Sequence, residues 1–216
     1  MFRDRKEAGQ KLALALEKYS KENVIVYGLT RGGVPVAYEV AIFLNAPLEA
    51  FIVKKLGARY QEELALGAVT EGENPVIYYN REILSHLNIQ EDYLKEAVRK
   101  KMKEITALQG ILRQGKNIFL HKEAIAIVVD DGVATGSTMI AAIQFFRKFG
   151  QKKIVAAIPA GQISVLEELK KFADEVICVE PVSYMEAVGE FYGEFEQVES
   201  ESVLRILKDA ENRSKK

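Results

Sequence analysis

The 216-residue sequence predicts a three-layer α/β/α fold with a mainly parallel central sheet and a small hood. Three observations lead there. Apolar runs without alternation recur at 24–29, 125–129 and 154–158, the pattern of strands buried on both faces. Segments with helical spacing alternate with those runs, as parallel strands joined by crossover helices require. The chain is 48% hydrophobic and 28% charged, enough apolar material for one substantial core. A single domain over residues 1–216 is therefore expected, with the hood drawn from about 57–80 and 181–198.

Taken in order, residues 4–20 place Ala8, Leu12, Ala15, Leu16 and Tyr19 at helical spacing, so an amphipathic first helix is expected. Val24–Leu29 is the first strand, Thr30-Arg31-Gly32-Gly33 breaks it, and Val34–Leu44 follows as a mostly apolar helix. Leu48–Val53 reads as a second strand running into Lys54-Lys55, and Gly57–Leu66 as a loop or irregular excursion. Gly67–Thr70 and Val76–Tyr79 are short and β-prone, fitting a hairpin or sheet extension. Leu94, Val98, Met102, Ile105 and Leu108 mark a surface helix between Gln90 and Leu108. The last third alternates strand 125–129, helix 137–149, strand 154–158, helix 164–172 and strand 175–179, with a final helix at 200–210.

Thirty basic residues stand against 31 acidic ones without a long basic run, so nothing calls for a nucleic-acid partner. The N-terminus is too charged for a signal peptide, and no apolar run approaches 18 residues, which makes the cytoplasm the expected location and a membrane role unexpected. The one cysteine, Cys178, has no partner for an intrachain disulfide and reads as a buried strand residue in a reducing compartment. His86 and His121 show no metal-ligand spacing.

The chemistry concentrates between Ile127 and Met139. Asp130 and Asp131 end a buried strand, where a sheet edge presents functional groups, and small residues lead into a helix whose first N–H groups lack carbonyl partners. A phosphate fits that helix start, held by backbone donors and by the hydroxyls of Thr135, Ser137 and Thr138. A nucleotide P-loop would need Gly-Lys-Ser/Thr, and a dinucleotide fold would place its glycines before the acid, so both are disfavoured. The arrangement suits a ligand with a sugar diol beside a phosphate, the acids taking the hydroxyls and the loop the phosphate. Simple turn capping by the two acids is the bland alternative.

Val128–Met139 resembles the phosphoribosyl pyrophosphate motif of the type I phosphoribosyltransferases. The resemblance extends to a little-characterised bacterial and archaeal branch through Phe2-Arg3-Asp4-Arg5 with Ala8-Gly9, Arg31-Gly32-Gly33, Ala187-Val188-Gly189 and Tyr192-Gly193-Glu194-Phe195. It implies transfer of a 5-phosphoribosyl group from phosphoribosyl pyrophosphate to a nitrogen of a nucleobase or related acceptor, with Mg²⁺ as cofactor and a homodimer as the plausible assembly. A phosphoribosyl pyrophosphate-sensing domain with little catalysis is the alternative. Asp130 and Asp131 would engage the ribose hydroxyls, directly or through Mg²⁺, and Ala134, Thr135, Gly136, Ser137 and Thr138 the 5-phosphate. Thr30, Arg31, Gly32, Gly33 and Lys55 would hold the pyrophosphate, with Thr30 standing where the branch has proline. Lys54, Arg59, Glu63, Tyr184 and Met185 are candidates for the acceptor side or a lid, the aromatic tail forming either a hood over the acceptor or the packed core of a small subdomain.

Overall fold

The computed structural model describes residues 1–58, 61–87, 89–114 and 116–214. Its element order is α1 (Arg5–Ala15), β1 (Val24–Leu29), α2 (Gly33–Leu44), β2 (Leu48–Phe51), β3 (Val53–Ala58), β4 (Gln61–Thr70), β5 (Ile77–Tyr79), α3 (Arg81–Leu87), α4 (Glu91–Arg113), β6 (Ile125–Val129), α5 (Ser137–Phe149), β7 (Lys153–Gln162), α6 (Ile163–Leu169), β8 (Glu175–Val182) and α7 (Ser200–Ser214). Single 3-10 turns lie at Glu17–Tyr19 and Val188–Phe191.

The main sheet runs β2-β1-β6-β7-β8 and is parallel throughout. Its strands sort their side chains with the two-residue period of a pleated strand. Val26, Ile127, Val129, Val155 and Ala157 pack under α1 and α2, while Tyr27, Val128, Ala156 and Ile158 pack under α5 and α6. The α/β/α layering expected from the sequence is thus present, with the strands of the sheet centre as continuous apolar runs because both faces are covered.

A second sheet, β3-β4-β5, is antiparallel. It corrects two readings. The run Leu48–Val53 is not one strand: Ile52 donates its N–H to the Glu71 carboxylate at 2.8 Å and accepts from the Glu71 N–H at 2.9 Å, so its hydrogen bonds leave the main sheet and the chain changes sheets there. Nor is 57–66 simply an irregular excursion, since β3 runs to Ala58 and β4 starts at Gln61, with register shifts around Leu56, Gly57 and Ala58. The charged residues of that stretch hid the start of β4, the central strand of this sheet, which extends beyond its pairing with β5. Gly67 is needed where β4 meets β5, because a Cβ there would lie 2.0 Å from the Tyr78 carbonyl oxygen.

The helix predicted from Leu94, Val98, Met102, Ile105 and Leu108 is α4, which continues to Arg113 and lays that face on a third cluster with Ile52, Leu56, Leu66, Val69 and Val203. The small sheet, α4 and α7 share this cluster, so the accessory elements have a core of their own beside the carboxyl end of β1.

Candidate active site

The site is assembled by two turns that leave neighbouring strands. β1 and β6 pair with Gly28 opposite Val129, so the turn after Leu29 and the acid pair after Val129 emerge at the same sheet end. They touch closely. A Cβ at Gly33 would lie 2.6 Å from the Val129 carbonyl oxygen and 2.9 Å from the Asp130 Cα, and one at Gly32 would lie 2.0 Å from Asp131 Oδ2. These two glycines let the Thr30–Gly33 turn rest directly on the acids. The Thr30–Arg31 peptide is cis, and the Thr30 N–H donates to the Phe51 carbonyl at 3.0 Å.

From Gly132 onward the second turn is fixed against β7. Val133 donates to the Ala160 carbonyl at 3.0 Å and accepts from the Gln162 N–H at 3.2 Å. Gly136, with φ of 70°, is the N-cap of α5 and offers no side-chain cap, so the first amides of Ser137, Thr138 and Met139 face outward without helical carbonyl partners. Ser137 Oγ is buried without a hydrogen-bond partner, and so is Thr30 Oγ1. Only one other side-chain polar atom among the described residues shares that condition, Gln151 Oε1. Each of the two turns therefore holds a buried hydroxyl without a protein partner, at a cost of roughly 1–3 kcal/mol apiece while it stays unpaired.

The acids differ in their surroundings. Asp130 accepts from the Asp131 N–H at 2.9 Å and, at 3.4 Å, from Thr138 Oγ1. Burial, then the neighbouring Asp131 charge, raise its carboxyl well above the usual range. Burial also raises Asp131, but Arg5 opposes the shift: its Nε donates to Asp131 Oδ2 at 2.9 Å and its Nη2 lies 2.8 Å from the same oxygen as an ion pair. Arg5 carries no local signal of this role beyond its place in the Phe2–Arg5 segment, and the pairing spans 126 residues.

The remaining candidates spread around the turns. Arg31 is 31% exposed and reaches Glu199 at 3.4 Å. Lys54 is half-buried in β3; burial lowers its pKa, Glu104 opposes this, and Arg31 and Lys101 add to it, which puts Lys54 in the electrostatic reach of the first turn. Lys55 follows it in β3 with interactions of its own. Tyr184 is 70% exposed, whereas Met185 is buried with Phe2, Ala8, Ala160 and Tyr192, a packing position rather than an open wall. Arg59 lies outside the described residues, as does the side chain of Glu63, whose backbone is in β4. Among the described residues no group of three or more His, Cys, Asp or Glu is placed to hold a metal, and no helix is long and apolar enough to cross a membrane. Cys178, partly buried in β8, is held by burial at a pKa of about 11, the reverse of a reactive thiol.

Comparison with known proteins gives this geometry its place. Two curated Mycobacterium tuberculosis proteins, the putative phosphoribosyl transferases Rv0571c and MT0597, are each 38% identical over 207 residues, 96% of this chain. The chain spans about half of their length, 46%. The crystal structure of TT1426 from Thermus thermophilus superposes with a TM-score of 0.79 at 35% identity, over 97% of this chain and 98% of that one. Residues 4–192 match the phosphoribosyl transferase domain model, and the chain belongs to that family.

Proposed function

We propose that this protein transfers the 5-phosphoribosyl group of phosphoribosyl pyrophosphate to a nitrogen of a nucleobase or related acceptor, releasing pyrophosphate. The observation that carries the reading is the meeting of two glycine turns over an acid pair, each turn holding a buried hydroxyl without a partner. In this reading Asp130 and Asp131 accept from the ribose hydroxyls. The amides and hydroxyls of Ala134, Thr135, Gly136, Ser137 and Thr138 hold the 5-phosphate at the positive end of α5. Thr30, Arg31, Gly32 and Gly33, with Lys55, hold the pyrophosphate, and Lys54 adds positive charge beside Arg31.

The acceptor nitrogen forms its bond to C1 as the C1–O bond breaks, the electron pair leaves with pyrophosphate, and the acceptor proton passes to solvent. No protein nucleophile is involved. The turns act by fixing both partners and by offsetting charge on the leaving group. Two adjacent carboxylates without a third protein ligand among the described residues fit a Mg²⁺ ion that arrives with the diphosphate rather than a closed protein site. When bound there, Mg²⁺ would neutralise charge on the departing pyrophosphate.

The test is pyrophosphate release in the presence of phosphoribosyl pyrophosphate, Mg²⁺ and a panel of purines, pyrimidines and amines. Release with one acceptor, abolished by Asp130→Asn, is the expected result. Ligand binding without release for any acceptor would instead make the chain a sensing domain.

A further inference from the structure

The first five residues and the segment 187–196 lie far apart in sequence and meet over Asp131. Phe2 bridges Tyr192 as a parallel pair, with Phe2 N–H to the Phe191 carbonyl and Gly193 N–H to the Phe2 carbonyl, both 2.8 Å. Glu194 N–H donates to the Arg3 carbonyl at 2.8 Å. Asp4 caps α1 by accepting from the Glu7 N–H at 2.8 Å, which sets Arg5 as the first helical residue.

From that position Arg5 divides its donors between two segments. Nε donates to Asp131 Oδ2 and Nη2 completes an ion pair with that oxygen, while Nη1 donates to the Glu196 carbonyl at 2.8 Å. The guanidinium lies 3.8 Å from the centre of the Phe195 ring, a cation-π contact, and its side chain is only 13% exposed. The tail grips the same acid by its backbone, since Tyr192 Oη donates to the Asp131 carbonyl at 2.5 Å. Val188 fills the space that a Cβ on Gly132 would need, at 2.4 Å, and Gly189 leaves room for the Phe195 ring, which a Cβ there would meet at 2.9 Å. The layer thus converges on the acid pair.

We infer that Arg5 is a positioning residue, which orients the Asp131 carboxylate for the ribose and binds the 187–196 tail to it, so that substrate binding and the docking of the tail on the acid act as one unit. This rests on the reading of the site given above. Arg5 acts through Asp131 and does not itself touch the ligand. A guanidinium suits the task because its planar fork fixes the direction of its hydrogen bonds, which a lysine ammonium does not.

A double-mutant cycle tests it, with affinity for phosphoribosyl pyrophosphate and Mg²⁺ read by calorimetry in native protein, Arg5→Gln, Asp131→Asn and the double variant. Arg5→Gln is expected to weaken binding at least tenfold alone and less than threefold in the Asp131→Asn background, with Arg5→Lys restoring part of the loss. Hydrogen exchange in 192–196 should slow on ligand binding in native protein but not in Arg5→Gln. Equal losses in both backgrounds, or native affinity in Arg5→Gln, would overturn the inference. Should Arg5→Gln not fold, Arg5→Lys carries the same cycle. If native protein binds and Asp130→Asn does not, an unaffected Arg5→Gln defeats this inference alone; no binding by folded native protein defeats the reading of the site and the inference with it.

Discussion

Two carboxylate sites in this protein, Glu71 fully buried and Asp130 partly buried, are solved in opposite ways. Glu71, with a fully enclosed side chain, is surrounded by donors: the Ile52 N–H at 2.8 Å, Gln109 Nε2 at 2.9 Å and both arms of Arg113, which also bonds the Ala50 carbonyl. Asp130 has one good backbone donor, a long hydroxyl contact and no ion pair among the described residues. The first arrangement exhausts the oxygen lone pairs and ties β2, the end of β4 and α4 together. The second leaves capacity that protein atoms do not use, beside two hydroxyls in the same state. Breaking a paired buried charge is strongly destabilising, whereas an under-satisfied one carries a standing cost in stability.

The largest effect should come from breaking the satisfied site. Glu71→Ala leaves Arg113 buried and unpaired, and a loss of about 3–5 kcal/mol is expected in urea unfolding. A loss below about 1 kcal/mol would show that water replaces the pair and would end the contrast. Gly33→Ala should cost roughly 1–3 kcal/mol through overpacking against Val129 and Asp130, seen as a lower unfolding midpoint, and should also spread the two turns and weaken ligand binding.

Asp130→Asn should move stability the other way. A carboxyl whose folded pKa lies above its unfolded value keeps a proton in the fold that it would lose on unfolding, so its contribution falls as pH rises from about 3.8 through the raised value. The asparagine variant is therefore expected to be more stable than native protein at pH 7, by on the order of 1 kcal/mol. The difference should vanish as pH falls below about 3.8. Thermal melts across that range check both sign and window, and a variant less stable at pH 7 would contradict the view of Asp130 as an under-satisfied charge.

The contrast also explains what can be read from the sequence. The turn that carries the acid pair is legible because Asp130 to Thr138 are contiguous in the sequence. The central strands are legible because burial on both faces removes polar alternation. Glu71 is not, since in sequence it stands among turn residues and its partner Arg113 is 42 residues away. Arg5 is a longer case of the same kind. The β3–β4 hairpin is hidden because Gln61, Glu62 and Glu63, at the start of β4 beyond its pairing with β5, are the residue types that mark loops, and the cis peptide at Thr30 has no proline to announce it.

The most direct measurement is calorimetric titration of phosphoribosyl pyrophosphate with Mg²⁺ into native protein and into the Asp130→Asn, Asp131→Asn double variant. Clear binding by the native protein that weakens at least tenfold in the variant, about 1.4 kcal/mol or more, is the predicted result. Equal affinity in both, or no binding to folded native protein, would contradict the assignment of the acid pair to the ribose.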